Sequence, residues 1–364
     1  MEPKAIKQHT LHYFLGAIVA VIHFFSSNKQ NVETFYSTNW YASFAAYYRA
    51  VFSSIPFSVG DVLYAVAICF IAVKLYQLCS FLYSKERRKT FRSIWKITAF
   101  KTINFLFVLY IIFNVLWGIN YNRIGIAAQL NLTTEKYTLQ DLNAINILLV
   151  QKINENKIAL QSTNENNITA ATMFLKTKTA YDSAAKKYSF LAYKNPSIKK
   201  SMFAWFCNYA SIYGYYNPFT AEANINTDVP AFTQPFTTSH EVAHQLGYAK
   251  EMEANFVGYL AATNSADTYF KYSTYTDLFS YANNTLYIAD SAAAFACRKL
   301  LLPAVIEDFK ERRRFSKAHV GAMEPLIKIL YGKFLEQNEQ PMGILSYDEV
   351  TAFIIAFHKK FNKI

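Results

Sequence analysis

The run Phe105-Leu-Phe-Val-Leu-Tyr-Ile-Ile-Phe, followed closely by Val115-Leu-Trp, constrains this chain more than any other feature. The uncharged stretch from about Thr102 to Gly118 approaches the roughly 20 residues that a bilayer crossing requires. Two companions precede it. One runs from about Leu11 to Phe25 and contains His12 and His23; the other runs from about Val62 to Tyr83 and is interrupted by Lys74. Lys74 can snorkel toward a basic stretch beyond Tyr83. Lys4 and Lys7 precede the first segment, as in a signal peptide, but no small-residue cleavage site follows it, so an uncleaved anchor is expected. The alternative, buried helices of a soluble protein, is less attractive for three such segments around one basic run.

That basic run holds Lys85, Arg87, Arg88, Lys89, Arg92 and Lys96, and it accounts for much of the net charge of +12. Read under the positive-inside bias, residues 84–100 form a cytoplasmic loop, with residues 26–60 and everything after about Asn120 on the other side. Trp117 and Tyr121 are then expected as an aromatic belt at the far interface. The chain divides into a membrane region, 1–119, with spans at about 11–25, 62–83 and 102–118, and an extracytoplasmic domain, 120–364. The composition is 52% hydrophobic and only 17% charged, a bias opposite to that of a disordered chain. A nucleic-acid partner is excluded: the remaining Lys and Arg are scattered among acids, apart from Arg312, Arg313 and Arg314, which read as a solvated helix face.

Cys69 and Cys79 fall in or beside an apolar span and read as small hydrophobes, while Cys207 and Cys297 could pair in an oxidising compartment. No Cys-x-x-Cys pair exists, so a cysteine zinc knuckle is excluded. Beyond Asn120 the pattern is mainly helical. Thr138 and Asp141 form a capping box ahead of the helical recurrence Leu142, Ile145, Leu148, Leu149, Ile153. Further helices are predicted at about 170–190, 300–315, 322–337 and 347–361. Between Pro196 and Pro235 one or two short strands are expected, foremost Ala221 to Thr227.

The chemistry sits in Thr238-Ser-His-Glu-Val-Ala-His-Gln-Leu-Gly-Tyr-Ala-Lys-Glu-Met-Glu-Ala-Asn-Phe. On a helix, His240 and His244 project from one face about 6 Å apart along the axis, close enough to share one Zn²⁺. Glu241 lies beside them, placed as a general base toward a zinc-activated water. A mononuclear site needs a third protein ligand. On one straight helix Glu251 would lie about 10 Å beyond His244, too far to share the metal. Gly247 supplies a break, since as a helix C-cap it turns the chain back. Glu251 is the expected third ligand, with Glu253 as the alternative. An extended segment at Ala221 to Thr227 could serve as an edge strand that pairs with substrate. Tyr215, Tyr216, Tyr347 and His319 are oxyanion-donor candidates by residue type alone.

The His240 motif followed by Glu251-Met-Glu-Ala-Asn resembles the gluzincin metallopeptidases. The resemblance implies Glu251 as ligand and puts Asn255, in a supporting position beside the ligands, where that pattern has Asp. The short spacing after His244 and the Asn depart from the pattern. The Gly247 spacing is similar to that of metzincins, but Lys250 occupies their third His position and cannot bind zinc. Across nearly its whole length the chain resembles the bacterial membrane-protein family known as domain of unknown function 3810. The shared features are Pro56-Phe-Ser-Val-Gly-Asp, Trp117-Gly-Ile-Asn-Tyr-Asn-Arg, Gly214-Tyr-Tyr-Asn-Pro-Phe-Thr-Ala-Glu-Ala-Asn-Ile-Asn, the His240 motif with Glu-Ala-Asn, and Ser346-Tyr. The resemblance implies a multi-pass protein of the bacterial inner membrane carrying a zincin-like domain.

The expected architecture is therefore mainly α, with N-terminal transmembrane helices followed by a zincin-like helical domain holding a small sheet. The expected function is a membrane-anchored zinc metallopeptidase acting on a peptide or protein substrate outside the cytoplasm, with lipid as its other partner. The alternative is a non-proteolytic zincin-fold envelope protein with a binding or scaffolding role. A transporter is disfavoured, because three spans with few paired charges offer no pathway.

Overall fold

The computed structural model describes residues 3–83, 85–134, 137–163, 168–321 and 347–364, together with Ile329 and Lys333. It is mainly helical, with one small sheet. Helix α1, Pro3–Ser26, leads after a bend of 93° into α2, Lys29–Ser53, whose residues Val32–Trp40 are π-helical. Helices α3, Val59–Tyr83, and α4, Lys85–Leu116, follow. Within them Val59–Phe81 and Trp95–Leu116 are long and apolar enough to cross a membrane, and the bent pair of α1 and α2 passes the same test when taken as one span. Side chains such as Ile71, Val73 and Leu75 stand exposed along α3, as lipid contact requires, and together these helices mark a membrane protein. His12 of α1 meets Asn104 of α4 at 2.8 Å, a polar pair that ties the two helices side by side.

One sequence expectation fails here. Residues 85–100 are not a loop, because α4 begins at Lys85 and runs without a break through the basic stretch into the apolar one. Lys and Arg are good helix formers, and charge alone does not end a helix.

The second half of the chain packs around two buried helices. Helix α5, Leu139–Thr163, starts at the expected capping box, in which Thr138 N–H donates to Asp141 Oδ2 at 2.8 Å and Asp141 N–H to Thr138 Oγ1 at 3.1 Å. Helix α6 covers Ala170–Ala185, shorter than predicted. Strands β1, Ile198–Lys200, β2, Gly214–Asn217, and β3, Glu222–Ile225, form one sheet in the order β1-β3-β2, with α7, Ala204–Ala210, between β1 and β2. β1 runs parallel to β3 and β2 antiparallel to it, with Tyr215 opposite Asn224. The sheet corrects a second expectation: the strand within Ala221–Thr227 is central, not an edge. All four residues of β3 are buried, and both of its hydrogen-bonding edges are taken. The free edges belong to β1 and β2.

Helices α8, Gln234–Gln245, and α9, Glu251–Thr263, pack against each other and against the sheet. Every residue of α9 from Glu253 to Ala262 is buried, the mark of a helix enclosed on all sides. Helix α10, Thr268–Ala289, lies along α5, and α11, Ser291–Lys299, α12, Pro303–Ala318, and α13, Tyr347–Phe361, close the outside. The predicted helix at 322–337 lies outside the described residues. Cys207 and Cys297 are separate buried thiols, not a pair. Arg312 is not on a solvated face: its guanidinium binds Asp277 at 2.8 Å and Ser280 at 2.6 Å, while Arg314 stays exposed.

Candidate metal centre

Helix α8 is built from an unfavourable sequence. Thr237, Thr238 and Ser239 are weak helix formers, yet each buried hydroxyl donates to the carbonyl four residues back, at 3.0, 2.7 and 3.0 Å. Pro235 sits in the first turn, where its missing N–H costs nothing. The helix ends at Gly247, whose φ of +84° suits glycine alone. Gly247 N–H donates to His244 O at 3.0 Å and Tyr248 N–H to Ala243 O at 3.2 Å, the paired bonds of a Schellman turn. The turn folds α9 back so that its first residue, Glu251, returns to the face carrying His240 and His244.

The result is a compact set of ligand-type atoms. His240 Nε2 and His244 Nε2 lie 3.1 Å apart, and Glu251 places Oε2 3.2 Å from the former and Oε1 3.8 Å from the latter. One ligand atom from each of the three residues falls within 4.8 Å of the others. Each ring is held from behind. His244 Nδ1 lies 2.7 Å from Tyr248 O, which can only accept, so this nitrogen carries the hydrogen and Nε2 turns a lone pair inward. His240 Nδ1 lies 2.9 Å from Asn255 Oδ1 in the same relation. Glu253 points elsewhere: its carboxyl accepts from the Ile126 main chain and lies in the field of Arg123.

The two imidazoles titrate very differently. Burial disfavours a proton on His240, but the hydrogen bond and charge of Glu251 outweigh it and raise the pKa to about 9. Burial, reinforced by the charge on His240, pushes His244 down to about 4. The positive charge on His240 is thus balanced by the carboxylate of Glu251, beside a neutral His244. Zinc suits this donor set: two nitrogens about 2 Å from a tetrahedral ion stand ~3.3 Å apart, close to the observed separation. Glu241 is buried beside the cluster under β2. A Cβ at Gly214 would stand 2.8 Å from Glu241 Cγ, so the bare strand residue makes room for this carboxylate. Glu241 Oε2 has no hydrogen-bond partner among the described residues, and burial pushes its carboxyl up to about 8.

The family model described as "Protein of unknown function (DUF3810)" matches residues 36–355. The chain belongs to the DUF3810 family. No curated protein and no solved structure matches it. Three of the stretches named above as shared with DUF3810, those starting at Pro56, Trp117 and Gly214, meet the end of the histidine helix or the sheet beside it. Trp117 is no belt residue but is buried, its indole N–H donating to His244 O at 3.1 Å. Tyr121 is likewise buried, and burial together with the charge of Glu251 makes its phenol harder to ionise. Arg123 donates to Gly247 O at 3.2 Å and pairs with Glu33 at 2.7 Å. From α2, Tyr41 OH and Arg49 Nη1 both donate to Gln245 O, at 3.2 and 2.9 Å. Two buried guanidiniums and an indole thus satisfy carbonyls that the helix end leaves open and complement its negative pole.

Pro56–Asp61 meets the sheet. Ser58 Oγ and the N–H groups of Val59 and Gly60 converge on the Glu222 carboxylate at 3.4, 3.1 and 2.6 Å, so a strand residue caps α3. The oxyanion candidates fare unevenly. Tyr215 faces away from the cluster, its hydroxyl donating to Asp61 Oδ1 at 2.6 Å. Tyr216 packs on Trp117 with ring centroids 5.1 Å apart, which brings it near His244 through that indole. His319 meets Tyr209 edge-on and lies tilted against Phe315, among other residues than those of the cluster. The side chain of Tyr347 lies outside the described residues. Tyr41, Arg49, Arg123 and Glu222 were not singled out as site residues from sequence, although Arg123 and Glu222 lie in stretches shared with DUF3810 and Arg49 is the one charge between Glu33 and Asp61.

Proposed function

We propose that this DUF3810 protein is a membrane-anchored zinc metallopeptidase in which His240, His244 and Glu251 hold the metal and Glu241 is the general base. One observation supports this most: both imidazoles are fixed through Nδ1 so that their Nε2 atoms and the Glu251 carboxylate address one point. Zinc held there would supply a Lewis acid that acidifies water and polarises a substrate carbonyl. The chain's own residues do the rest. Glu241, whose carboxyl is raised by burial and would return to the carboxylate form beside a bound cation, takes the proton of the attacking water at Oε2 and delivers it to the leaving amine nitrogen. The free edge of β2, carrying Gly214 directly over Glu241, would align an extended substrate by strand addition. The helix-end contacts of Trp117, Tyr41, Arg49 and Arg123 keep the histidines in register with α9. In this reading the site faces the extracytoplasmic side of the bacterial inner membrane, as the basic stretch after α3 implies.

The test is zinc analysis of the purified full-length protein, combined with hydrolysis of a peptide library followed by mass spectrometry. Near-stoichiometric zinc is expected in the wild type and in Glu241→Gln, with cleavage only in the wild type. Absence of zinc overturns the site. Bound zinc without cleavage of any peptide overturns the peptidase and leaves the non-proteolytic envelope role.

A further inference from the structure

We infer that α2 lies in the membrane interface, its outer face among lipid headgroups and upper acyl chains, and thereby holds the histidine helix one helix diameter, about 10 Å, from the bilayer. The inner face of α2 is the stripe Val32, Tyr36, Tyr41, Ala45 and Arg49, all buried. Its spacings of four, five, four and four follow the π-helical start, where a turn holds more residues. The outer face is unlike a surface made for water. Between Glu33 and Asp61 the only charged residue is Arg49, which is 2% exposed and turned inward onto Gln245 O. Phe35, Tyr47, Trp40 and Val51 instead stand outward, the first two at 62% and 72% exposure. Water-facing helices carry charge on the outer side, whereas Trp and Tyr without charge are the composition of a membrane interface.

The position of α2 agrees with its composition. It turns 93° from α1, so an α1 that enters the bilayer along its normal leaves α2 in the plane of the surface. A few residues later α3 begins at Val59 with its membrane-length apolar stretch. A second patch marks the same level: Met202, Trp205 and Phe206, at and in α7, are 60%, 73% and 42% exposed. The N–H of Met202 donates to Asp61 Oδ2 at 2.7 Å, in the first turn of α3, so this patch sits where that helix meets the interface. Both patches flank the same helix start, and lipid is the occupant continuous with it.

The test uses the full-length protein in vesicles of phosphatidylethanolamine and phosphatidylglycerol. With the exposed Cys69 and Cys79 replaced by Ser, nitroxides are attached in turn to Phe35→Cys, Tyr47→Cys and Val51→Cys. Glu155→Cys on α5 serves as the water-exposed reference and Ile71→Cys on α3 as the bilayer reference. Collision rates with oxygen and with a water-soluble nickel chelate should give the three α2 labels depths between the two references. Values matching Glu155→Cys overturn the inference. So do values matching Ile71→Cys, which indicate a re-entrant helix, and low collision with both reagents, which indicates a protein cover. In the unlabelled protein, lipids brominated near the headgroup end should quench a fluorescence component that Trp40→Phe lacks. Equal quenchable signal in the two proteins overturns the inference without any label.

Discussion

Replacing Asn255 by Ala removes the one histidine support that a side chain provides. His240 Nδ1 is held at 2.9 Å by Asn255 Oδ1, whereas His244 Nδ1 is held at 2.7 Å by the main-chain oxygen of Tyr248, which no substitution deletes. Only one of the two imidazoles is therefore released. Loss of such an outer contact costs about 10–100-fold in metal affinity, equivalent to ~1.4–2.7 kcal/mol. Asn255→Asp should bind zinc at least as tightly as the wild type. A carboxylate there raises the basicity of the imidazole, and it removes the buried Asn255 Nδ2, which lacks a partner among the described residues. The assay is competition against a chromophoric zinc chelator at fixed pH, on protein whose circular dichroism matches the wild type. Wild-type affinity in Asn255→Ala would refute the role given to this contact, and so would equal losses in the Ala and Asp variants.

Three further outcomes are expected. Glu251→Ala should lose near-stoichiometric zinc, while Glu253→Gln keeps it, because only the former carboxylate approaches the imidazoles; zinc analysis that reverses this order reassigns the ligand. Gly247→Ala places a Cβ 2.9 Å from Asn120 Oδ1 and Tyr41 Cε1 at a left-handed position, at a cost of about 1–2 kcal/mol for the backbone alone, so its thermal unfolding in detergent should begin at a lower temperature. Chelation of zinc should lower the unfolding temperature of the wild type but not of Glu251→Ala, since ligand at 100 times its Kd stabilises by ~2.7 kcal/mol; an equal response in both would place the metal elsewhere.

What the sequence disclosed was local. His240 and His244 share a face because helices repeat every 3.6 residues, and Gly247 marks the turn because only glycine takes its backbone angle freely. The capping box at Thr138 reads directly from two residues three apart. What stayed hidden depends on contacts across long stretches of chain. Arg49 reaches Gln245 O over 196 positions and Trp117 reaches His244 O over 127, and no local spacing rule connects residues so far apart in the chain. Strand order is equally non-local, so Ala221–Thr227 could be recognised as extended but not as central. The basic run at 85–100 misled because charge patterning reports which side of a membrane is favoured and says nothing about whether the helix continues through it.

The grip of Glu222 on α3 has a mechanical side. Ser58, Val59 and Gly60 share one carboxylate rooted in the central strand, and Asp61 on the same turn is pinned by Tyr215 of the edge strand. A helix clamped at its first turn by two strands works as a lever with its fulcrum at the sheet. Tilting of α3, as when the bilayer thins or thickens, must either break these buried bonds or carry β3 and β2 with it. Gly214 of that edge strand lies against Glu241, so a load on the apolar helix reaches the strand that walls the candidate site.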